Sequence, residues 1–282
     1  GLPNVVSHLP EIFHLNLTES TNDINFIMLG SDGVFDCFSN NNQISELVST
    51  VFTNCPSDNK DSSHILIGKA VDKSEWQMMP WEVNAYYELS LNEFNFPFGI
   101  LQPPSLDLTA SYGANMGAFG GSTIGHELTH GFDSDGRQFD AHGNLKNWWS
   151  KEDETKFKAK AELLVDQFNK YVVLDSLHPN GKACLGENIA DLGGIVIALD
   201  AFKKTQQFKE GKLIHGLTPL QRYFMGYAYG WMQTRRPEKL AAQLLTDVHA
   251  PIFLRVNGPM SNCDEWYKTF NVNSSNKLYR DS

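Results

Sequence analysis

The pattern of apolar and polar positions divides the chain into a mixed N-terminal stretch and a longer, mostly helical remainder. Near the start, FIMLG, SDG and VFDCFSNNNQISELVSTVF in succession predict a buried strand, a tight turn and an amphipathic helix. The polar run TNCPSDNKDSSH, Thr53 to His64, combines Pro, Ser, Asn and Asp and reads as a linker or long loop. After it, VNAYYELSLNEFNFPFGIL alternates aromatic and polar residues across a short turn and predicts a hairpin or edge strand. Helices are then expected from about Met116 through Phe132, and from Ser150 as N-cap, with acids in the first turn, to about Tyr171. Three more follow: from near Gly186 through ALDAFKKT, over roughly Thr218 to Thr234, and from Pro237 to about Leu245. The fold class is therefore α+β, predominantly α-helical, with a small sheet and a short N-terminal α/β fragment. No internal repeat is visible.

Composition narrows the function. The 282 residues suffice for one large or two modest domains. A net charge of −10 argues against nucleic acid or an anionic membrane as partner, because those surfaces attract Lys and Arg. No apolar run approaches the roughly 20 residues of a membrane helix. Cys37, Cys55, Cys184 and Cys263 are widely spaced and form neither a disulfide scaffold nor a zinc knuckle. Sequons at Asn16 and Asn273 permit secretion without establishing it, so the compartment stays open. The opening GLPNVV lacks an initiator Met and a signal-peptide pattern, so a start elsewhere is expected.

The chemistry concentrates in GHELTHG, Gly125 to Gly131. On a helix His126 and His130 lie one turn apart on one face, so two imidazole nitrogens can meet one zinc ion at about 2.0–2.1 Å. Glu127 lies beside the metal rather than on it, placed to take a proton from a zinc-bound water. The plainer reading is a helix that carries these letters by chance. The second string, GENIADLGG, Gly186 to Gly194, weighs against that reading. Glu187 can supply the third protein ligand of a catalytic zinc site, and Asp191, one turn on, can accept the free ring N–H of a ligand histidine. Either acid alone would read as a solvated helix face. The Gly-Gly after them costs helix stability for no evident surface benefit.

Together these strings resemble the neprilysin and endothelin-converting-enzyme family over residues 67–282. The resemblance extends through VDKSEW, VNAYY, NEFNFPFGILQPP, GHELTHGFDSDGRQFD, GNLKNWW, LGENIADLGG, RRPEKLA and TDVHAP. It implies a thermolysin-like (gluzincin) catalytic lobe, one Zn2+, and hydrolysis of peptide substrates. Asn84 and Ala85 match residues that pair with substrate backbone, and His249 matches the oxyanion-stabilising histidine, with Asp247 beside it. Arg255 matches an arginine that holds a substrate carbonyl. The plainer readings are a surface histidine at 249 and a structural salt bridge at 255. The parent family is extracellular or membrane-associated. Some features depart from the family. The helical second lobe expected before residue 67 is absent. Ser122 and Thr123 stand where apolar residues usually line the pocket for the residue after the cut, which puts a large hydrophobic preference in doubt. Val272 stands at an expected Cys, so docking of the tail is open.

Residues 1–60 are different. PEIFHLNL and FIMLGSDGVFDCFSNNNQISELV resemble metal-dependent Ser/Thr protein phosphatases, where Asp32 would match a metal ligand. That site needs several carboxylates around two ions, and the partner motifs are missing, so a solvated or capping Asp32 is the expectation. The domains are expected as residues 1–66, fragment and linker, and 67–282, the metallopeptidase domain. The alternatives are an inactive, zinc-stabilised fragment of such a peptidase, or a joined gene product.

Overall fold

The computed structural model describes residues 11–16, 25–30 and 74–280. Two compact units divide the chain, Gly1–Pro80 and Trp81–Ser282. In the first, β1 (Glu11–Asn16) pairs antiparallel with β2 (Asn25–Gly30), Glu11 opposite Gly30. The strand expected at FIMLG is β2. The expected SDG turn, the helix after it, Asp32, Cys37 and Cys55 lie outside the described residues.

The second unit is predominantly helical. Its hairpin joins β3 (Tyr86–Glu88) to β4 (Glu93–Asn95), with Tyr86 opposite Asn95. Asn92 takes a left-handed φ of 55° at the turn, a conformation that Asn tolerates better than most residues. The helix expected from Met116 to Phe132 is a composite: α1 (Tyr112–Asn115), a π-helical segment (Met116–Gly125) and α2 (His126–His130). Ser111 caps its start by accepting the Ala114 amide N–H.

The next helix, α3 (Lys151–Asn169), begins as expected. The Ser150 side chain accepts from the Asp153 amide, and Glu152, Asp153 and Glu154 face the positive end of the helix dipole. Then come α4 (Leu185–Lys204) and the short α5 (Gln206–Lys209). Thr218 and Gln221 form a capping box at the start of α6 (Pro219–Gly230). Helix α6 ends four residues short of the expected Thr234. Beyond it, Arg236 is extended at ψ 147°, because the following Pro237 disfavours helical backbone before it. Helix α7 (Pro237–Thr246) follows. Sequence reading missed α8 (Ile252–Met260) and α9 (Asp264–Phe270). The first contains Gly258 and Pro259, and the second is barely two turns long, so neither shows a sustained apolar period.

Helix α4 is the centre of the unit. Ile195, Leu199 and Phe202 pack with Tyr223, Phe224 and Tyr227 of α6 and with Met260 and Trp266. Phe202 stacks on Tyr223 at 5.9 Å between ring centroids. Each such side chain, fully buried, contributes about 1.5–3 kcal/mol by transfer from water. A second cluster of Phe168, Cys184, Ala250 and Leu254 pins the N-terminal end of α4 against α8. Both ends of the helix are thus held, which fixes where its first turn points.

Candidate metal centre

Helix α2 presents His126 and His130 from one face, and the first turn of α4 brings Glu187 to meet them. The two Nε2 atoms are 3.0 Å apart. Glu187 Oε2 lies 3.4 Å from His126 Nε2, and Oε1 lies 3.7 Å from His130 Nε2. A tetrahedral ion with donors at about 2.0–2.1 Å keeps neighbouring donors roughly 3.3 Å apart, so these separations suit one zinc ion. The donor chemistry agrees. Each ring's Nδ1 is turned to a carboxylate, which leaves both Nε2 lone pairs aimed at one point.

Those carboxylates come from different elements. Asp191, fully buried on α4, places Oδ1 2.9 Å from His126 Nδ1, close in distance though not aligned as a hydrogen bond. Asp133, just beyond α2, places Oδ2 2.7 Å from His130 Nδ1. Sequence reading missed Asp133. Its Oδ1 accepts the amides of Asp135 and Gly136, both at 2.8 Å, which locks the carboxylate in place. A Cβ on Gly186 would stand 3.1 Å from Asp133 Oδ2, so the glycine leaves the carboxylate its room. The signal was its spacing, three residues after His130 at the end of the ligand helix.

Arg255 of α8 joins the cluster from behind. Its Nε and Nη2 donate to the two oxygens of Asp191, both at 2.8 Å, and Nη2 lies 3.2 Å from Glu187 Oε2. Its guanidinium stacks over Trp231 at 4.1 Å. The residue expected to hold substrate therefore also clamps Glu187, a candidate metal ligand, and Asp191. His249 also reaches Glu187: its Nε2 is 3.2 Å from Glu187 Oε2, and its Nδ1 is 2.7 Å from Asp247 Oδ1.

Electrostatics follow from this crowding of protein groups. Burial works against the charge on Glu187, but His126, Arg255 and His249 overcome it and bring its carboxyl down to about 2. Asp191 behaves alike: burial opposes its charge, Arg255 and His126 outweigh burial, and it falls to about 2. Burial also opposes protonation of His126, yet Asp191 and Glu187 raise it to about 9. Glu127 is different. It is 6% exposed, and burial raises its carboxyl above the ordinary value against the lowering pull of the two histidines. Burial pushes the Cys184 thiol, at the head of α4, up to about 11.

These groups open onto a cleft of about 870 Å³. Asn84 and Ala85, just before β3, line it together with Glu127, His249, Ser122 and Thr123. His126, His130, Glu187 and Arg255 line it too, whereas Asp191 is fully buried and does not. No helix of the described residues is long and apolar enough to cross a membrane.

Known proteins resemble this chain in sequence and in fold. The chain is 40% identical over 215 residues to an endothelin-converting enzyme homolog of Locusta migratoria, covering 75% of this chain and 29% of that protein. It is also 40% identical over 212 residues to a neutral endopeptidase of Lactobacillus helveticus, covering 75% of this chain and 31% of that one. A zinc metalloprotease of Mycobacterium tuberculosis, solved with an inhibitor, superposes with a TM-score of 0.70 at 38% identity, covering 75% of this chain and 33% of that structure. The chain therefore spans less than a third of the curated relatives it matches. The phosphatase-like resemblance of residues 1–60 gains no support from these comparisons. The pattern of Peptidase family M13 matches residues 84–282, a stretch that takes in His126, His130, Glu187 and His249 alike, and this chain belongs to that family.

Proposed function

We propose that residues 67–282 form the thermolysin-like catalytic lobe of a zinc-dependent endopeptidase. The observation that carries this reading is the convergence of His126 Nε2, His130 Nε2 and a Glu187 oxygen within 4.8 Å of one another, with buried Glu127 beside them in an open cleft. A bound zinc ion would polarise the scissile carbonyl and acidify the attacking water. Glu127 takes the proton of that water and passes it to the leaving amine. Its burial suits the role, since a carboxylate held above its ordinary pKa is a stronger base. His249, when protonated, donates from Nε2 to the developing oxyanion, and Asp247 holds its ring in place. Asn84 and Ala85 pair with the substrate backbone along the cleft. Arg255 keeps Asp191 and Glu187 in position and presents its remaining face to a substrate carbonyl.

A second reading is a zinc-stabilised but inactive form of such a peptidase. A quenched-peptide assay with added zinc and with a chelator separates the two. Zinc-dependent, chelator-sensitive cleavage is expected, and full zinc occupancy without cleavage would establish the inactive form. Residues 1–66 take no part in this chemistry, so p-nitrophenyl phosphate with manganese should give no turnover.

A further inference from the structure

Two glycines seat the segment that carries Asn84 and Ala85. Near its start, a Cβ on Gly99, in the single 3-10 turn Phe98–Ile100, would stand 2.5 Å from the Glu82 carbonyl oxygen. Near its end, a Cβ on Gly131 would stand 2.8 Å from Tyr87 Oη and 3.1 Å from Tyr87 Cζ. Neither site leaves room for a methyl group, so each needs glycine for the segment to lie where it does. Gly131 directly follows His130 at the end of α2. The Tyr87 ring therefore rests on the helix of the two histidines, while its backbone lies in β3, just beyond Ala85.

The ring is held at both ends. Its hydroxyl donates to the Asn92 side-chain oxygen at the hairpin turn, and Asn92 Nδ2 donates to the Ala141 carbonyl at 3.2 Å. Its backbone sits opposite Phe94 in the hairpin. A phenol is rigid, so fixing both of its ends fixes a distance. We propose that Tyr87 is a positioning residue for peptide hydrolysis: as a strut between Gly131 and β3, it sets the distance from the metal ligands to Asn84 and Ala85. This rests on the peptidase reading above and adds to it a residue that acts through others.

The chemistry needs such a distance to be fixed. A carbonyl held along Asn84 and Ala85 must fall within reach of a metal held by His126, His130 and Glu187, and a displacement of about 1 Å can cost about 10²-fold in rate. The first two residues belong to the hairpin segment and the ligands to α2 and α4, so a contact between these elements has to set it. Tyr87 on Gly131 is that contact, one residue from His130.

The test uses the full 282-residue chain loaded with zinc and three ligands. Acetohydroxamate reaches the metal alone, a blocked peptide amide reaches the hairpin edge alone, and the same peptide carrying a hydroxamate, at either end in turn, bridges the two. Affinities are measured by titration calorimetry, and kcat and KM with a quenched peptide. In the parent chain one bridging ligand should bind about 10²-fold tighter than the better half, the gain of spanning two sites at a matched distance. Gly131→Ala should remove about tenfold of that gain and lower kcat about tenfold, with KM and the affinities of both halves unchanged. Adding Tyr87→Phe to Gly131→Ala removes the atom nearest the new Cβ and should restore most of both. Tyr87→Ala removes the strut without a clash and should lose the gain likewise, so it decides the matter if melting temperature shows that Gly131→Ala fails to fold. Several results would overturn the strut: no bridging gain in the parent chain, a gain that survives the substitutions, a loss that Tyr87→Phe does not relieve, or a loss shared by the two halves. The expected bridging pattern without cleavage of any peptide would uphold the strut and overturn the peptidase reading instead.

Discussion

Gly125 and Gly194 meet backbone to backbone where the helix of the two histidines crosses the helix of the glutamate. A Cβ on Gly125 would stand 2.8 Å from the Gly194 carbonyl oxygen, and one on Gly194 would stand 2.3 Å from the Gly121 oxygen and 2.8 Å from the His126 amide nitrogen. The cost of glycine inside α4 is offset by an approach that no other residue permits. That approach sets the distance between His126 and Glu187. Gly194→Ala should therefore destabilise the protein by about 1–3 kcal/mol, as overpacking does. It should also weaken zinc binding, because the helices must separate. Chemical denaturation and chelator competition measure the two effects, and a variant of parental stability and zinc affinity would show that the contact does not set the site.

Glu127→Gln removes the proposed base while keeping the shape of the side chain. Turnover should fall by about 10²–10⁴-fold, the usual range for a lost general base. Zinc should remain stoichiometric by atomic absorption, since Glu127 is not among the converging donors. Activity close to that of the parent chain would remove Glu127 from the mechanism.

Asp133 and Asp191 orient different histidines, so their effects should be parallel but unequal. Asp133→Asn and Asp191→Asn should each lower zinc affinity by about 10–100-fold, the usual effect of losing an outer-shell carboxylate. Asp191→Asn should also cost stability, because it removes one of the two carboxylates paired with the buried Arg255. Urea unfolding of the metal-free variants checks this, and equal stability of the two would contradict it.

The metal-free protein should show a narrow range of best stability. His126 is raised to about 9, so its contribution is full below the unfolded value of about 6.5 and is lost as pH rises through about 9. Glu187 and Asp191 are lowered to about 2, so theirs is present above the unfolded value of about 4 and lost as pH falls through about 2. Stability should thus peak between about pH 4 and 6.5 without metal. Zinc must displace the His126 proton, so binding near pH 8 should release about one proton. Calorimetry in buffers of different ionisation enthalpy reads that number directly, and buffer-independent heats would contradict the assignment.

Helical spacing alone made much of this protein legible. His126 and His130 lie four residues apart, as do Glu187 and Asp191, and a helix can only put each pair on one face. Local rules also placed the Ser150 cap, the Pro237 start and the hairpin around Asn92, because caps and turns are chosen by their neighbours within a few residues. What local rules do not carry is which faces meet. That His126 looks to Asp191, that Arg255 reaches Glu187 from 68 residues away, and that Trp231 lines two cavities all depend on how α2, α4, α6 and α8 pack. The same holds for the glycines at 125 and 194, whose need for no side chain arises only when two helices distant in sequence touch. Periodicity is a property of one segment, whereas convergence of donors on a point belongs to the packed core that holds the segments together.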